Sequence, residues 1–158
     1  MENNANRDWL TKEEAETFIG TNVYSYLEKW KTHSGSKLKG FNWAAAAFGI
    51  VWMAYRRMYA EAVLTVILFS FMGSAISLLF GVFDIYFNEP LIGYFFRLLV
   101  GIFGNMLYRN KAMRVLRKTI YMDEAERLAC LKAKGGTSVV GVIICIAIQI
   151  AEVVLFWL

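Results

Sequence analysis

Residues Ala62–Phe83 form an unbroken stretch of 22 residues with no charged side chain. At about 1.5 Å of rise per residue, a helix of that length covers the ~30 Å hydrocarbon core of a bilayer. A backbone in lipid must satisfy its own amides, so such a run folds as a helix. Two further runs have the same character. Leu91–Tyr108 carries one charge, Arg97, and Val139–Leu158 carries one charge, Glu152, beside Gln149. Hydrophobic residues make up 58% of the 158-residue chain and charged residues 19%. A soluble domain of this size cannot hide that many apolar side chains. The same balance excludes disorder. The expectation is an all-α membrane protein with three transmembrane helices.

A fourth segment, Gly40–Tyr55, is uncharged but has only 16 residues. As a helix it reaches about 24 Å, short for a full span. Charge decides its placement, because Lys and Arg near span ends favour the cytoplasm. Lys29, Lys31, Lys37 and Lys39 precede the segment, and Arg56 and Arg57 follow it. If it crossed, one cluster would face outward. The Asp84–Pro90 loop has no Lys or Arg, whereas Arg109–Lys134 has eight. One arrangement satisfies every cluster. The N-terminus is cytoplasmic, the short segment is re-entrant or interfacial, two spans form a hairpin, and the last span exits. The rival arrangement is four full spans with the N-terminus outside, which a thinned bilayer permits.

The polar N-terminal region carries no signal-peptide core. Thr11 and Glu14 form a capping-box pattern. Ala15, Phe18, Ile19, Val23, Tyr26, Leu27 and Trp30 then recur at helical spacing. The spacing predicts one amphipathic helix from about Thr11 to Lys31, stopped by His33-Ser34-Gly35-Ser36. Its apolar face lies on the membrane surface or packs on the other helices. Four regions result: 1–40, a cytoplasmic region with the amphipathic helix; 41–108, a membrane core; 109–136, a basic cytoplasmic segment; and 137–158, a last span. Within the third, Asp123–Glu126 reads as a helix start and Gly135-Gly136 as a stop.

Two spans carry stripes that repeat every four positions: Gly73, Ser77 and Gly81, then Gly93, Gly101 and Asn105 with Arg97 among them. Small residues let helices approach closely in lipid, so these stripes are expected to face each other across the hairpin. Arg97 and Glu152 are costly at membrane depth unless paired or solvated. Both lie about 9 Å below the outer surface. They are candidates for a structural ion pair or a transport relay, with Arg97 snorkelling toward Asp84 as the alternative. Trp43, Trp52, Tyr55, Tyr59 and Phe156-Trp157 read as interface anchors.

Chemistry has little support. His33 stands alone, without metal-ligand spacing, and no nucleophile-elbow, P-loop or zinc-protease pattern occurs. Cys130 and Cys145 fall in different surroundings and do not form a disulfide framework. No catalytic residue, metal or cofactor is expected. Asn105, Tyr108 and Asn110 could hold a head group, although satisfied helix-end groups explain them as well. The basic residues Arg109–Lys118 lie beside a span, where anionic lipid is a simpler partner than nucleic acid.

The stretch Phe41-Asn42-Trp43-Ala44-Ala45-Ala46-Ala47-Phe48-Gly49, then Trp52, then Tyr55-Arg56-Arg57-Met58-Tyr59, resembles a bacterial family of small membrane proteins, the domain-of-unknown-function family numbered 2628. Phe18-Ile19-Gly20-x-Asn22, Tyr26-Leu27-x-Lys29-Trp30 and Gly104-Asn105-x-x-Tyr108 extend the resemblance over about residues 15–118. Ile50 stands where family members commonly have Pro. The resemblance implies a bacterial membrane protein and no particular activity.

The leading expectation is therefore a non-enzymatic accessory or adaptor protein of the bacterial inner membrane, binding a protein partner or anionic lipid, or self-associating. The alternative is a small oligomeric transporter or channel using Arg97, Gln149 and Glu152. A lipid-acting enzyme using Asn105, Tyr108 and nearby arginines lacks a general base at usable spacing.

Overall fold

A computed structural model describes residues 10–31, 40–83 and 89–157. The His33–Ser36 linker and the Asp84–Asn88 loop lie outside the described residues, as do the side chains of Phe156 and Trp157. The described chain is all-helical. Three helices are long and apolar enough to cross a membrane. They are α5 (Tyr59–Val82), α6 (Glu89–Thr119) and α8 (Val139–Trp157). The remaining helices are α1 (Lys12–Ile19), α2 (Val23–Lys31), α3 (Trp43–Phe48), α4 (Ile50–Tyr55) and α7 (Glu124–Lys134).

The expected single N-terminal helix is two helices. Gly20 (φ 69°) and Asn22 (φ 60°) adopt left-handed backbone and turn the chain between α1 and α2. Glycine does so without penalty, and asparagine is among the residues that tolerate it. The capping box forms as the sequence predicts: the Thr11 hydroxyl accepts from the Glu14 amide at 3.2 Å, and the Thr11 amide donates to Glu14 Oε2 at 2.8 Å. The apolar face packs on other helices. Ala15, Phe18, Ile19, Tyr26 and Trp30 are all buried in the main core.

The short apolar segment is a bent pair. Gly49 has φ 53° and ψ −120°, which ends α3 and starts α4. The bend forms with Ile50, not Pro, as the next residue. The neighbours of the pair along α6 reveal its path. Asn42 pairs with Asn105, Ala46 lies against Gly101, and Gly49 lies against Arg97. After the bend, Trp52 comes back to Gly104, and the Arg56 carbonyl accepts from Lys111. The pair thus runs up α6 to the level of Arg97 and returns, a re-entrant shape in which neither arm is long enough to span.

Helix α6 has 31 residues, about 46 Å, against the ~30 Å hydrocarbon core. It passes without a break from the apolar run into the basic segment. Asp123 then caps α7 by accepting from the Ala125 amide at 3.3 Å, and α7 stops at Gly135 as the sequence predicts. Helix α8 starts against the end of α4, where the Ser138 amide donates to the Tyr55 carbonyl at 2.8 Å. Outward-facing Leu, Ile, Val and Phe side chains cover much of α5 and α8, as expected of helices solvated by lipid.

Candidate functional site

Two arrangements at the basic end of the bundle gather the polar side chains. The first is a buried hub on Tyr108, which is fully buried. Its ring meets Phe18 of α1 at 5.5 Å, Tyr26 and Trp30 of α2 at 5.2 and 5.8 Å, and Trp52 of α4 at 6.3 Å between centroids. One residue of α6 thereby anchors three other helices. The Arg56 guanidinium lies 4.6 Å from the Tyr26 ring and 5.4 Å from the Tyr108 ring. It donates to the Ile19 carbonyl at 3.1 Å and to the Thr21 carbonyl at 3.3 Å. A helix leaves its last carbonyls unpaired, and a cation there is favoured. Gly136 completes the end of α1 by donating its amide to the Phe18 carbonyl at 2.7 Å. A Cβ on Gly135 would come within 2.1 Å of that carbonyl, so a side chain there would push α1 away.

A buried ion pair ties α1 to α7. Arg127 Nε lies 2.9 Å from Glu14 Oε1, an ion pair and not an aligned hydrogen bond. Glu14 therefore serves both the capping box and this pair.

The second arrangement is a pocket of about 630 Å³ between α5, α6 and α7. Arg57, Lys111, Arg114, Lys118 and Lys134 line it, with Glu61 as its one carboxylate. Arg114 pairs with Glu61 at 3.0 Å. Arg57 donates to the Ala133 carbonyl at 2.7 Å, and Lys111 donates to the Arg56 and Arg57 carbonyls at 3.2 and 2.8 Å. Carbonyls bear no net charge, so five cations face one anion. Arg57 and Lys111 thus also tie the turn between α4 and α5 to α7 and to α6. The sequence marked Arg57 as part of the family motif and Arg109–Lys118 as a basic run suited to anionic lipid, but it did not bring them together with Glu61 and Lys134.

The residues expected to act within the membrane are arranged otherwise. Arg97 and Glu152 are both exposed, and among the described residues neither forms an ion pair. The re-entrant pair separates them: α3 packs on α6, whereas α4 packs on α8. Arg97 lies over the Gly49 bend, and Glu152 lines a groove between α5 and α8. Asp84 is outside the described residues. The small-residue stripes do not interlock. A Cβ on Gly73, Gly81 or Gly93 would meet nothing within 4 Å. Gly73, Ser77 and Gly93 instead border an open cleft below the stacked Phe69 and Phe96 rings, 4.2 Å apart. The reason is a competitor for α6. A Cβ on Gly101 would meet Ala46 at 2.7 Å and Phe41 at 2.8 Å, so that part of the stripe serves α3. Of the expected anchors, Trp43 and Tyr59 are exposed, Tyr55 is half-buried, and Trp52 is buried in the core. Among the described residues no cluster of His, Cys, Asp and Glu could hold a metal.

A family described as "Protein of unknown function (DUF2628)" matches residues 11–114. That segment contains α1 to α5 and most of α6, with the Asn42–Asn105 contact, the Tyr108 hub and the Gly49 bend. Helices α7 and α8 lie beyond it. No curated protein and no solved structure matches the chain. With 104 of its 158 residues matched, the chain belongs to this family of unknown function.

Proposed function

We propose that the protein is a non-enzymatic accessory or adaptor subunit of the bacterial inner membrane, with its N-terminus in the cytoplasm. Its helices α1, α2 and α7 would present a binding surface to a protein partner or to anionic lipid. The observation that carries this reading is how the buried polar groups are used. Asn42, Asn105, Arg56 and the Glu14–Arg127 pair all join one helix to another. They support a rigid cap at the basic end of the spans. The concentration of Lys and Arg at that end supports the cytoplasmic orientation. Affinity purification of the full chain in mild detergent tests the reading. It expects a defined protein or anionic lipid in stoichiometric amount, and recovery of the chain alone counts against it. Labelling at Ser36, Asn88 and Leu158 checks orientation, and an outward-facing position 36 would overturn it.

A second reading, a small oligomeric transporter or channel, is favoured by one observation. Arg97 and Glu152 are exposed on different faces of spanning helices, so they could meet between copies of the chain. Charged groups inside membranes commonly mark ion or substrate paths. Liposome flux that is lost on Glu152→Gln with folding intact would support it, and absence of flux in the native chain would remove it.

A further inference from the structure

The geometry points to a site for one anionic phospholipid, with its phosphate in the basic pocket and an acyl chain between α5 and α8. The inference rests on the membrane placement proposed above and names the lipid class.

Charge is the first argument. Five cations around about 630 Å³ face a single carboxylate, and that carboxylate is already paired with Arg114. Lys118 and Lys134 are exposed at the pocket wall. Crowded like charges repel, and a phosphate relieves this while accepting several N–H donors at once. Basic pockets between helices at the cytoplasmic surface are suited to anionic head groups.

Position is the second. The pocket lies where the chain changes phase. Glu61 is followed by the uncharged run of α5, and Lys134 is the last charge before the uncharged start of α8. That is the depth of a lipid phosphate.

The third argument is what adjoins it. Tyr59 borders both the pocket and a groove of about 680 Å³ between α5 and α8. Val63, Val66, Ile67, Ile144 and Ile148 line that groove. Tyr59 packs on α8 at Gly141, where a Cβ would strike its hydroxyl at 2.8 Å, so this one ring forms the wall shared by pocket and groove. A free phosphate has no use for an apolar groove. An amphiphile uses both. The two cysteines report on the two halves, since Cys130 lines the pocket and Cys145 the groove.

Native mass spectrometry of the full chain in non-ionic detergent tests this, with phosphatidylglycerol and phosphatidylcholine at equal mole fraction. One phosphatidylglycerol is expected to be retained in preference. At about fivefold per lysine, Lys118→Gln with Lys134→Gln lowers its retention by about 30-fold. Arg117→Gln with Lys132→Gln removes the same charge from the same helices at exposed positions outside the pocket. It is expected to change retention by about twofold or less. Ile144→Trp fills the groove and is expected to weaken retention without altering charge. Inorganic phosphate is not expected to compete. In the unmodified chain, phosphatidylglycerol should slow alkylation of both Cys130 and Cys145, which needs no variant to fold. Equal loss from both charge pairs would mean diffuse surface attraction and would overturn the site. Competition by phosphate, or indifference to Ile144→Trp, would reduce it to a free-anion pocket and overturn the lipid. Loss of lipid selectivity with a protein partner still recovered would remove this site and leave the adaptor reading standing.

Discussion

The Asn42 side-chain amide donates to the Asn105 side-chain carbonyl at 2.8 Å, joining buried residues 63 positions apart. Asn42 Oδ1 in turn accepts from the Ala45 amide at 3.0 Å, which caps α3. Asn105 Nδ2 donates to the Gly40 carbonyl. The Asn42 amide donates to the Gly101 carbonyl at 2.9 Å. Two asparagines thus fix the depth at which the re-entrant pair leaves α6.

Asn105→Ala strands the Asn42 side-chain amide and the Gly40 carbonyl in a buried place. Each unsatisfied group costs about 1–3 kcal/mol, so a loss of about 2–4 kcal/mol is expected. Thermal unfolding in detergent measures it, against Asn110→Ala, an exposed position on the same helix. Equal melting temperatures for the two variants would remove this contact from the account.

Glycines on α6 should differ by position. Gly101→Ala drives a methyl into Ala46 and Phe41, an overpacking expected to cost about 1–3 kcal/mol. Gly93→Ala meets open space and should be neutral or stabilising by up to about 1 kcal/mol. Reversal of that order in unfolding measurements would place α3 elsewhere.

Arg56→Lys keeps the charge but loses the fork that reaches both Ile19 and Thr21 carbonyls. A loss of about 1.5–3 kcal/mol is expected. Faster amide exchange at the turn between α1 and α2 would accompany it. Tyr108→Phe tests the same hub in the other direction. Among the described residues the buried Tyr108 hydroxyl makes no aligned hydrogen bond, the Arg56 guanidinium being the polar group beside it. Removing it should leave stability unchanged or raise it by about 1 kcal/mol. A marked loss in the melting temperature would contradict the hub as described.

Glu14→Gln retains a capping-box residue and removes the charge facing Arg127. Breaking one side of a buried pair costs about 3–5 kcal/mol. Adding Arg127→Met should recover most of that, because no unpaired buried charge then remains. Chemical unfolding at low and high salt distinguishes this pair from a surface one, since burial limits screening.

Local pattern reached far into this fold. The uncharged runs specified α5 and α8 because lipid forces such runs to satisfy their own backbone. Thr11 and Glu14 specified the start of α1, and Gly135 the end of α7, because caps act within a few residues. Charge near span ends suggested that the short segment turns back, and the structure gives it that shape. The break at Gly20 and Asn22 had a visible signal in those two residue types, but the 3.6-residue periodicity runs across it. Periodicity records which side is apolar and not whether the axis bends.

The sequence by itself determined the number of long apolar helices and which segments stay polar, since both follow from transfer between water and lipid. It could not assign partners to faces. The pattern assigned Gly101 and Asn105 to α5 across the hairpin, whereas Ala46 and Phe41 against Gly101, and Asn42 against Asn105, give them to α3. Arg97 and Glu152 had matching depths, yet the re-entrant pair stands between their helices. Arg56, Lys111 and Lys134 read alike as cytoplasmic charge. Tertiary structure buried Arg56 against α1, bound Lys111 to the end of α4, and left Lys134 at the rim of a pocket. Which surfaces meet depends on the volumes and hydrogen-bonding groups of residues far apart in the chain, and those come together only when the helices pack.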